Sequence, residues 1–584
     1  MPLLRPRLGG TSGPAPITQS RLTVNNAAGA QLTFTSPPTC DQNGKDGETN
    51  MSHPDAAHSS ISGLSRRNLL ALGGLGTAAA VVGGAVARPA GAAASPPFFD
   101  NPFSLGVASG DPLPDGVVLW TRLAPDPLAA DGNGGMPPET FGVRYEVAED
   151  ERFSRIIRRG AVEATPEFGH SVHVELSGLA PAREYFYRFH FGPVVSPVGR
   201  TKTAPAFDAS VARLRLAVTS CQNYPAGYFV GYRDIATQDL DLVVHLGDYI
   251  YQGPSAGNPA INRPHVPNVE IMTLAEYRIR HAQYKTDPHL QDAHSSAPFI
   301  VIPDDHEVTN NYANDIGGGA SGDVFLARRA AAYQAYYENM PLRRSSLPDG
   351  PNMRLYRRVR YGDLAQFHLL DTRQYRSDQA KWSNSQAING YSPGALDPTR
   401  TILGDAQEQW LQEGLATSTA RWNIIGNQTK FAPFDHKAGP GVVYDSVDSW
   451  GEGYVADRDQ LLQFIATHRP SNPIVITGDA HRNWVFNLKA GFSDPTSATL
   501  ATEYLGTSIS SGGDGPATTI YGPTADNPHM MFSNNQRGYM QVDVTPEQWR
   551  VDFRVSDTVL NPDAPMYTLA TFVTDDGKPG ARRM

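Results

Sequence analysis

Cysteine is nearly absent from this chain: two occur in 584 residues, Cys40 and Cys221. Cys40 lies in a segment expected to be removed, so the mature chain is expected to hold no internal disulfide framework. Cys221 is then buried and inert, a metal ligand, or a link to another molecule. A basic excess is lacking as well. Lysine and arginine total 49 against 59 aspartates and glutamates, for a net charge of −10 and a pI of about 5.9. That argues against a nucleic-acid binder relying on a broad basic surface. It leaves an anionic substrate open, because a bound cation can dominate the field of a site. Hydrophobic residues make up 40% and charged residues 18%, the composition of an ordered globular protein long enough for several domains.

Residues 1–60 are rich in Ser, Pro, Gly and Asn and have no helical or strand period, so they are read as a disordered or non-native extension. Residues 61–94 have the look of a twin-arginine signal peptide, with Ser65-Arg66-Arg67-Asn68-Leu69-Leu70 followed by a mildly apolar run and Ala92-Ala93-Ala94 before Ser95. The run approaches membrane-spanning length, but its repeated glycines favour a cleaved signal. The expected destination is secreted or cell-wall/periplasmic, reached folded through the twin-arginine export machinery, with no stable membrane span after processing.

Residues 98–205 read as short alternating strands separated by turns, a small all-β domain of fibronectin or Ig-like type. It carries no cluster of acids, bases or nucleophiles, and His170 and His173 read as strand-surface residues. Residues 206–555 alternate buried strands with helical stretches, the α/β pattern. A helix over Asp405–Leu415 is expected to start with Asp405 as N-cap and Glu408 completing a capping box. Residues 556–584 are polar, with Pro and Gly, and read as a tail that folds over the site or hangs free.

Five short apolar runs in the large domain end in groups that bind cations. Leu242–Leu246 leads through Gly247 to Asp248, Tyr249 and Tyr251, and Leu214–Ser220 leads to Cys221. Phe299–Ile302 leads to Asp304-Asp305-His306-Glu307, Trp422–Gly426 to Asn427, and Ile474–Gly478 to Asp479-Ala480-His481. Sites in open α/β sheets are built at the carboxyl ends of strands. Three acids in four residues are costly unless cations offset them. Asp479 and His481, one residue apart, point to the same side if extended. A sixth strand, Ala365–Leu370, leads to Asp371-Thr372-Arg373, where Arg373 or Arg376 either clamps a phosphate oxygen or supports the site as a salt bridge.

Asp248 with Tyr251, the segment Asp305-His306-Glu307, Asn427, and Gly478-Asp479-Ala480-His481 together resemble the calcineurin-like metallophosphoesterases. The phrases Ser220-Cys221-Gln222-Asn223, Pro303-Asp304-Asp305-His306-Glu307-Val308 and Leu370-Asp371-Thr372-Arg373 resemble the PhoD-type alkaline phosphatase family, from about Asn101 to Asp552. The resemblance implies a β-sandwich of two mixed sheets flanked by helices, preceded by the small all-β domain. It implies Fe3+ held by Cys221, Asp248, Tyr251 and His481, and Ca2+ held by Asp248, Asp305, Asn427 and Asp479, with Glu503 as a candidate for further calcium. Cys221, Asp305 and Asp479 depart from the commoner metallophosphoesterase pattern, and the latter two make the second site richer in oxygen, which suits calcium. The implied activity is hydrolysis of phosphate monoesters and/or diesters by a metal-activated hydroxide, with His306 stabilising charge or protonating the leaving oxygen. Rival readings are a phosphodiesterase of phospholipase D or teichoic-acid hydrolase type, and a non-catalytic metal-containing cell-wall binding protein.

Overall fold

The computed structural model describes residues 99–584. The expected extension and signal peptide lie outside the described residues.

Short, apolar and β-branched runs such as Leu214–Thr219, Leu242–His245 and Phe299–Val301 are buried on both faces and lie parallel to one another. They form the middle of a ten-stranded sheet. Ala365–Leu369, Trp422–Gly426 and Pro473–Thr477 do the same in an eight-stranded sheet, again in parallel. The inner faces of the two sheets share one core. Leu216, Val244 and Ile300 come from the first, and Phe367, Ile424 and Ile476 from the second. Each such side chain contributes roughly 1.5–3 kcal/mol by leaving water.

The outer faces are covered by helices. Alternate residues of the first sheet, Ala217, Val243 and Phe299, pack with Tyr277, Leu290 and Tyr333 from the helices Leu274–Lys285, Pro288–Ser296 and Gly322–Asn339. The second sheet turns Ile425 and Val475 toward Leu411 and Leu462 of the helices Asp405–Thr417 and Val455–His468. The order helix, sheet, sheet, helix leaves the loops at one rim of both sheets free to build a site.

Of four sequence expectations, one gains detail and three are corrected. Within the expected all-β segment, the strands Val107–Leu113, Gly116–Arg122 and Ser171–Glu175 pair beyond it. They extend the ten-stranded sheet, with Gly110 opposite Phe299, while other strands from residues 141–202 form a separate five-stranded sheet. His170 and His173 do not stand on an open strand surface. His170 is fully buried, and His173 Nε2 lies 3.0 Å and 2.9 Å from the carbonyls of Tyr337 and Met340, because the end of helix Gly322–Asn339 covers their strand. Helix Asp405–Thr417 starts after Gly404, in the left-handed region at φ 69°, with no side-chain cap. Thr401 Oγ1 accepts the Leu403 and Gly404 N–H groups there.

The carboxyl tail is the fourth. Tyr567–Asp575 and Lys578–Arg583 are strands at the edge of the ten-stranded sheet, paired antiparallel after Gln548–Ser556. Ala570 and Phe572 reach the shared core, and the outward Thr and Asp residues give the segment its polar look. Among the described residues no helix is long and apolar enough to cross a membrane.

Candidate metal centre

The six parallel strands end at the same rim, so the residues that follow them meet. The turns are tied together by backbone. Cys221 N–H donates to Gly247 O at 3.0 Å and Gln222 N–H to Asp248 O at 3.1 Å. Gln428 crosses between the sheets, its Nε2 donating to Pro303 O at 2.9 Å and Leu370 O at 2.7 Å. Gly247 is required where it stands: its φ is +108°, and a Cβ there would lie 2.5 Å from Asp304 N.

Cys221, Asp248 and His481 each offer a donor atom, and these lie within 4.8 Å of one another. Tyr251 joins them, its Oη 2.8 Å from Asp248 Oδ2 and 3.1 Å from His481 Nε2. Two ligands about 2.1 Å from one ion and at right angles to it lie about 3 Å apart. The spacing is that of hydrogen-bonded groups and also fits ligands sharing one cation. A second group, Asp304, Asp305 and Asp479, meets the same 4.8 Å limit, as do Asp248, Asp305 and His306. Asp248 thus belongs to two clusters.

Backbone conformation brings this about. Cys221, Asp248, Asp479 and His481 all have positive φ, between 52° and 61°. Non-glycine residues rarely adopt that region, at a cost of roughly 1–3 kcal/mol each when strained, and such residues gather at functional sites. The expectation that Asp479 and His481 share a side as an extended pair is therefore corrected. With both in the left-handed region, His481 faces Cys221 and Asp248 while Asp479 faces Asp304 and Asp305.

The electrostatics are those of a site built for positive charge. Burial, with the Asp305 and Asp304 charges added, raises the Asp248 carboxyl well above its ordinary range. Burial pushes Asp479 up to about 7 against the pull of Arg373. Burial and the Asp248 charge likewise raise the Cys221 thiol and the Tyr251 phenol. Burial lowers His481 to about 4, leaving its imidazole neutral and able to donate a lone pair. Burial also opposes the Asp305 charge, yet Arg373 and His306 hold that carboxyl below its ordinary range.

Arg373 is committed to this balance. It is buried and ion-paired to Asp304 and to Asp448, the latter at 2.6 Å, with Nη2 at 3.8 Å from Asp305 and 3.6 Å from Asp479. Of the two roles open to it, the salt-bridge support is the one its contacts show. Only Nη2 lacks a hydrogen-bond partner. Arg376 pairs with Asp448 at 2.7 Å. Asn427 is fully buried, its Oδ1 accepting from Trp450 Nε1 at 3.0 Å, which leaves that oxygen one further lone pair. Glu503 is not free for calcium, since its carboxylate accepts the N–H groups of Phe431 and Ala432, both at 2.8 Å, and the Thr477 hydroxyl at 2.9 Å.

Sequence reasoning missed several residues that position the rest. Glu307 was one acid in a run, but its carboxylate accepts the N–H groups of Asp248, Tyr249 and Asp304, joining two strand-end turns. Arg537 donates to the His481 carbonyl at 2.6 Å and the Gly513 carbonyl at 2.8 Å. Ser511 touches Tyr251. The last two lie far along the chain in segments without motif character.

His306 packs its ring on Tyr251, centroids 4.2 Å apart, and places Nδ1 2.6 Å from Gln252 Oε1. A cleft of about 510 Å3 opens beside the clusters, reaching from Asp479 and Asp448 to Lys430, Arg482 and Trp484. Arg482 lies over the Trp484 ring at 5.0 Å.

The chain matches known proteins over most of its length. Residues 216–553 match the model of the PhoD-like phosphatase family, and residues 89–205 match that family's N-terminal domain. Alkaline phosphatase D of Bacillus subtilis (strain 168) is 48% identical over 496 residues, covering 84% of each chain. A solved structure of PhoD superposes with a TM-score of 0.78 at 48% identity, covering 84% of this chain and 93% of that one. With these matches and a convergent set of cation-binding groups, the chain belongs to the PhoD-like phosphatase family, whose members are hydrolases of phosphoric esters.

Proposed function

We propose that the protein hydrolyses phosphate monoesters, diesters or both at a ferric–calcium centre. Cys221, Asp248, Tyr251 and His481 would hold the iron; Asp248, Asp305, Asn427 and Asp479 would hold calcium. The observation that supports this most is the spacing of Tyr251 Oη from Asp248 and His481, at 2.8 Å and 3.1 Å. Phenol, thiol and carboxylate lose protons most readily to a strongly charged ion, whereas carboxylates and an amide suit a hard divalent one. The two-sheet core is read as a metallophosphoesterase sandwich, and the strands before residue 205 as its fibronectin-like companion. Folded export by the twin-arginine route to a secreted or wall-associated location belongs to the same reading.

Bound there, the ions supply Lewis acidity to phosphate oxygens and lower the pKa of a water. The chain does the rest. Arg373 fixes Asp304 and Asp305 in place and helps keep Asp305 ionised. The cleft toward Arg482 and Trp484 accommodates the alcohol side of the ester. As water attacks phosphorus, the ester P–O bond breaks and the leaving oxygen takes a proton from His306 Nε2. Gln252 orients that ring by accepting Nδ1–H. Burial lowers the His306 pKa, so the ring loses this proton as pH rises.

Replacing His306 by Ala is expected to lower turnover by roughly 10²–10⁴-fold on the acid side of neutrality, where the ring carries its proton, with bound iron and calcium unchanged. The gap should narrow as pH rises through neutrality, because burial lowers the pKa of the wild-type ring. Loss of metal in parallel with activity would make His306 a ligand instead, as its nearness to Asp248 and Asp305 also allows. Assays on p-nitrophenyl phosphate and its bis-ester test the substrate reading. Turnover of the bis-ester alone would make the protein a diesterase of phospholipase D or teichoic-acid hydrolase type. Activity on neither, with metals loaded, would reject the reading.

A further inference from the structure

We propose that Ser511 is a positioning residue for Tyr251, holding its oxygen and stabilising it as an anionic ligand; the inference rests on the ferric reading above. Ser511 is buried, with Oγ 2.6 Å from Tyr251 Oη and 2.7 Å from the Cys221 carbonyl, and it accepts the Asn223 N–H at 3.2 Å. A serine hydroxyl has one proton to give, so these two acceptors compete for it.

Which acceptor wins follows from the state of the phenol. A neutral Tyr251 gives its own proton to Asp248 Oδ2 at 2.8 Å and is a modest acceptor. As a phenolate it has no proton, and a hydrogen bond to an ionised acceptor is roughly twice as strong as a neutral one. The Ser511 proton then belongs to Tyr251. The Cys221 carbonyl is not orphaned by the exchange, since the backbone N–H of Ser511 also reaches it at 3.2 Å. Tyr251 Oη has three hydrogen-bonding neighbours among the described residues: Asp248, His481 and Ser511. On the ferric reading Asp248 and His481 would both be occupied as iron ligands, so the donor left to the phenolate is Ser511.

The placement is built rather than incidental. Ser511 lies on the segment after strand Thr499–Leu505, and that segment closes over the Cys221 turn through Ile509 N–H to Ser220 O at 3.0 Å. Arg537 joins its Gly513 carbonyl to the carbonyl of His481. One segment therefore touches two of the four proposed iron ligands, Cys221 and Tyr251, and is tied to a third, His481, through Arg537.

The test is the visible absorption of the iron-loaded protein. A hydrogen bond to phenolate lowers the energy of its lone pair, so removing the bond brings the tyrosinate-to-iron transition to lower energy. Ser511→Ala should shift the band to longer wavelength with iron content at the wild-type level. Ser511→Cys, a weaker donor, should give a smaller shift in the same direction, and it serves also if the alanine variant does not fold. A band at the wild-type position in iron-replete variants would overturn the role of Ser511 and leave the ferric site standing. Wild-type protein without the band, or a Tyr251→Phe variant that retains it, would overturn the ferric reading and this inference together.

Discussion

Replacing Asp248 by Asn is expected to lower phosphatase turnover by about 10³-fold or more, because the carboxylate shared by the Cys221–His481 cluster and the Asp305–His306 cluster loses its charge. Both metals should bind more weakly. The metal-free protein should be no less stable than wild type, and that is the more telling half of the prediction. Burial, and after it the charges of Asp305, Asp304 and Glu307, push the Asp248 carboxyl well above its ordinary range. Without a cation it is a source of repulsion. The amide keeps the shape and one acceptor oxygen, which can serve either Tyr251 or the His306 backbone N–H, bonded in the wild type to different carboxylate oxygens. Active sites commonly hold such charge at the expense of stability. Thermal unfolding in chelator checks this: a variant melting well below wild type would mean that Asp248 stabilises the fold rather than the centre.

The second large effect is on pH dependence once metals are removed. Burial raises the carboxyls of Glu307 and Asp479 to about 7 in the fold, against roughly 4 for an unfolded carboxyl. Raised acids bind more protons folded than unfolded. Their contribution to stability is complete below about pH 4 and is lost as pH rises through about 7. Chelated protein should therefore become less stable from pH 5 to pH 8. The metal-loaded protein should move the other way, since protons leave ligands that cations then occupy. The separation between the two melting temperatures should widen by on the order of 5 °C across that window. Parallel curves would mean that the acids are balanced by the chain alone.

The strand ends were legible because of a simple physical fact. A parallel strand buried on both faces must be a short apolar run, so Leu242–His245 or Pro473–Thr477 stands out, and the first polar residues beyond it mark the rim. Parallel register sets the ends of the Cys221 and Asp248 strands side by side, and the packing of the second sheet brings His481 to the same rim. What the sequence hid were choices made by tertiary contacts. Nothing local announces that Asp479 and His481 take positive φ and part company. The tail strands carry Thr and Asp outward and so read as polar. Arg373 can pair with phosphate or with carboxylates, and only packing brings Asp304 and Asp448 to it. Ser511 lies 260 residues from Tyr251 along the chain, beyond any local signal.

Anomalous X-ray scattering from crystals of protein purified with its own metals puts the proposed centre to its most direct test. The account predicts an iron peak bonded to Cys221 Sγ, Asp248, Tyr251 Oη and His481, and calcium beside it against Asp305, Asn427 and Asp479. Iron lying away from Cys221 and Tyr251, or a centre filled by one metal of another kind, would contradict it.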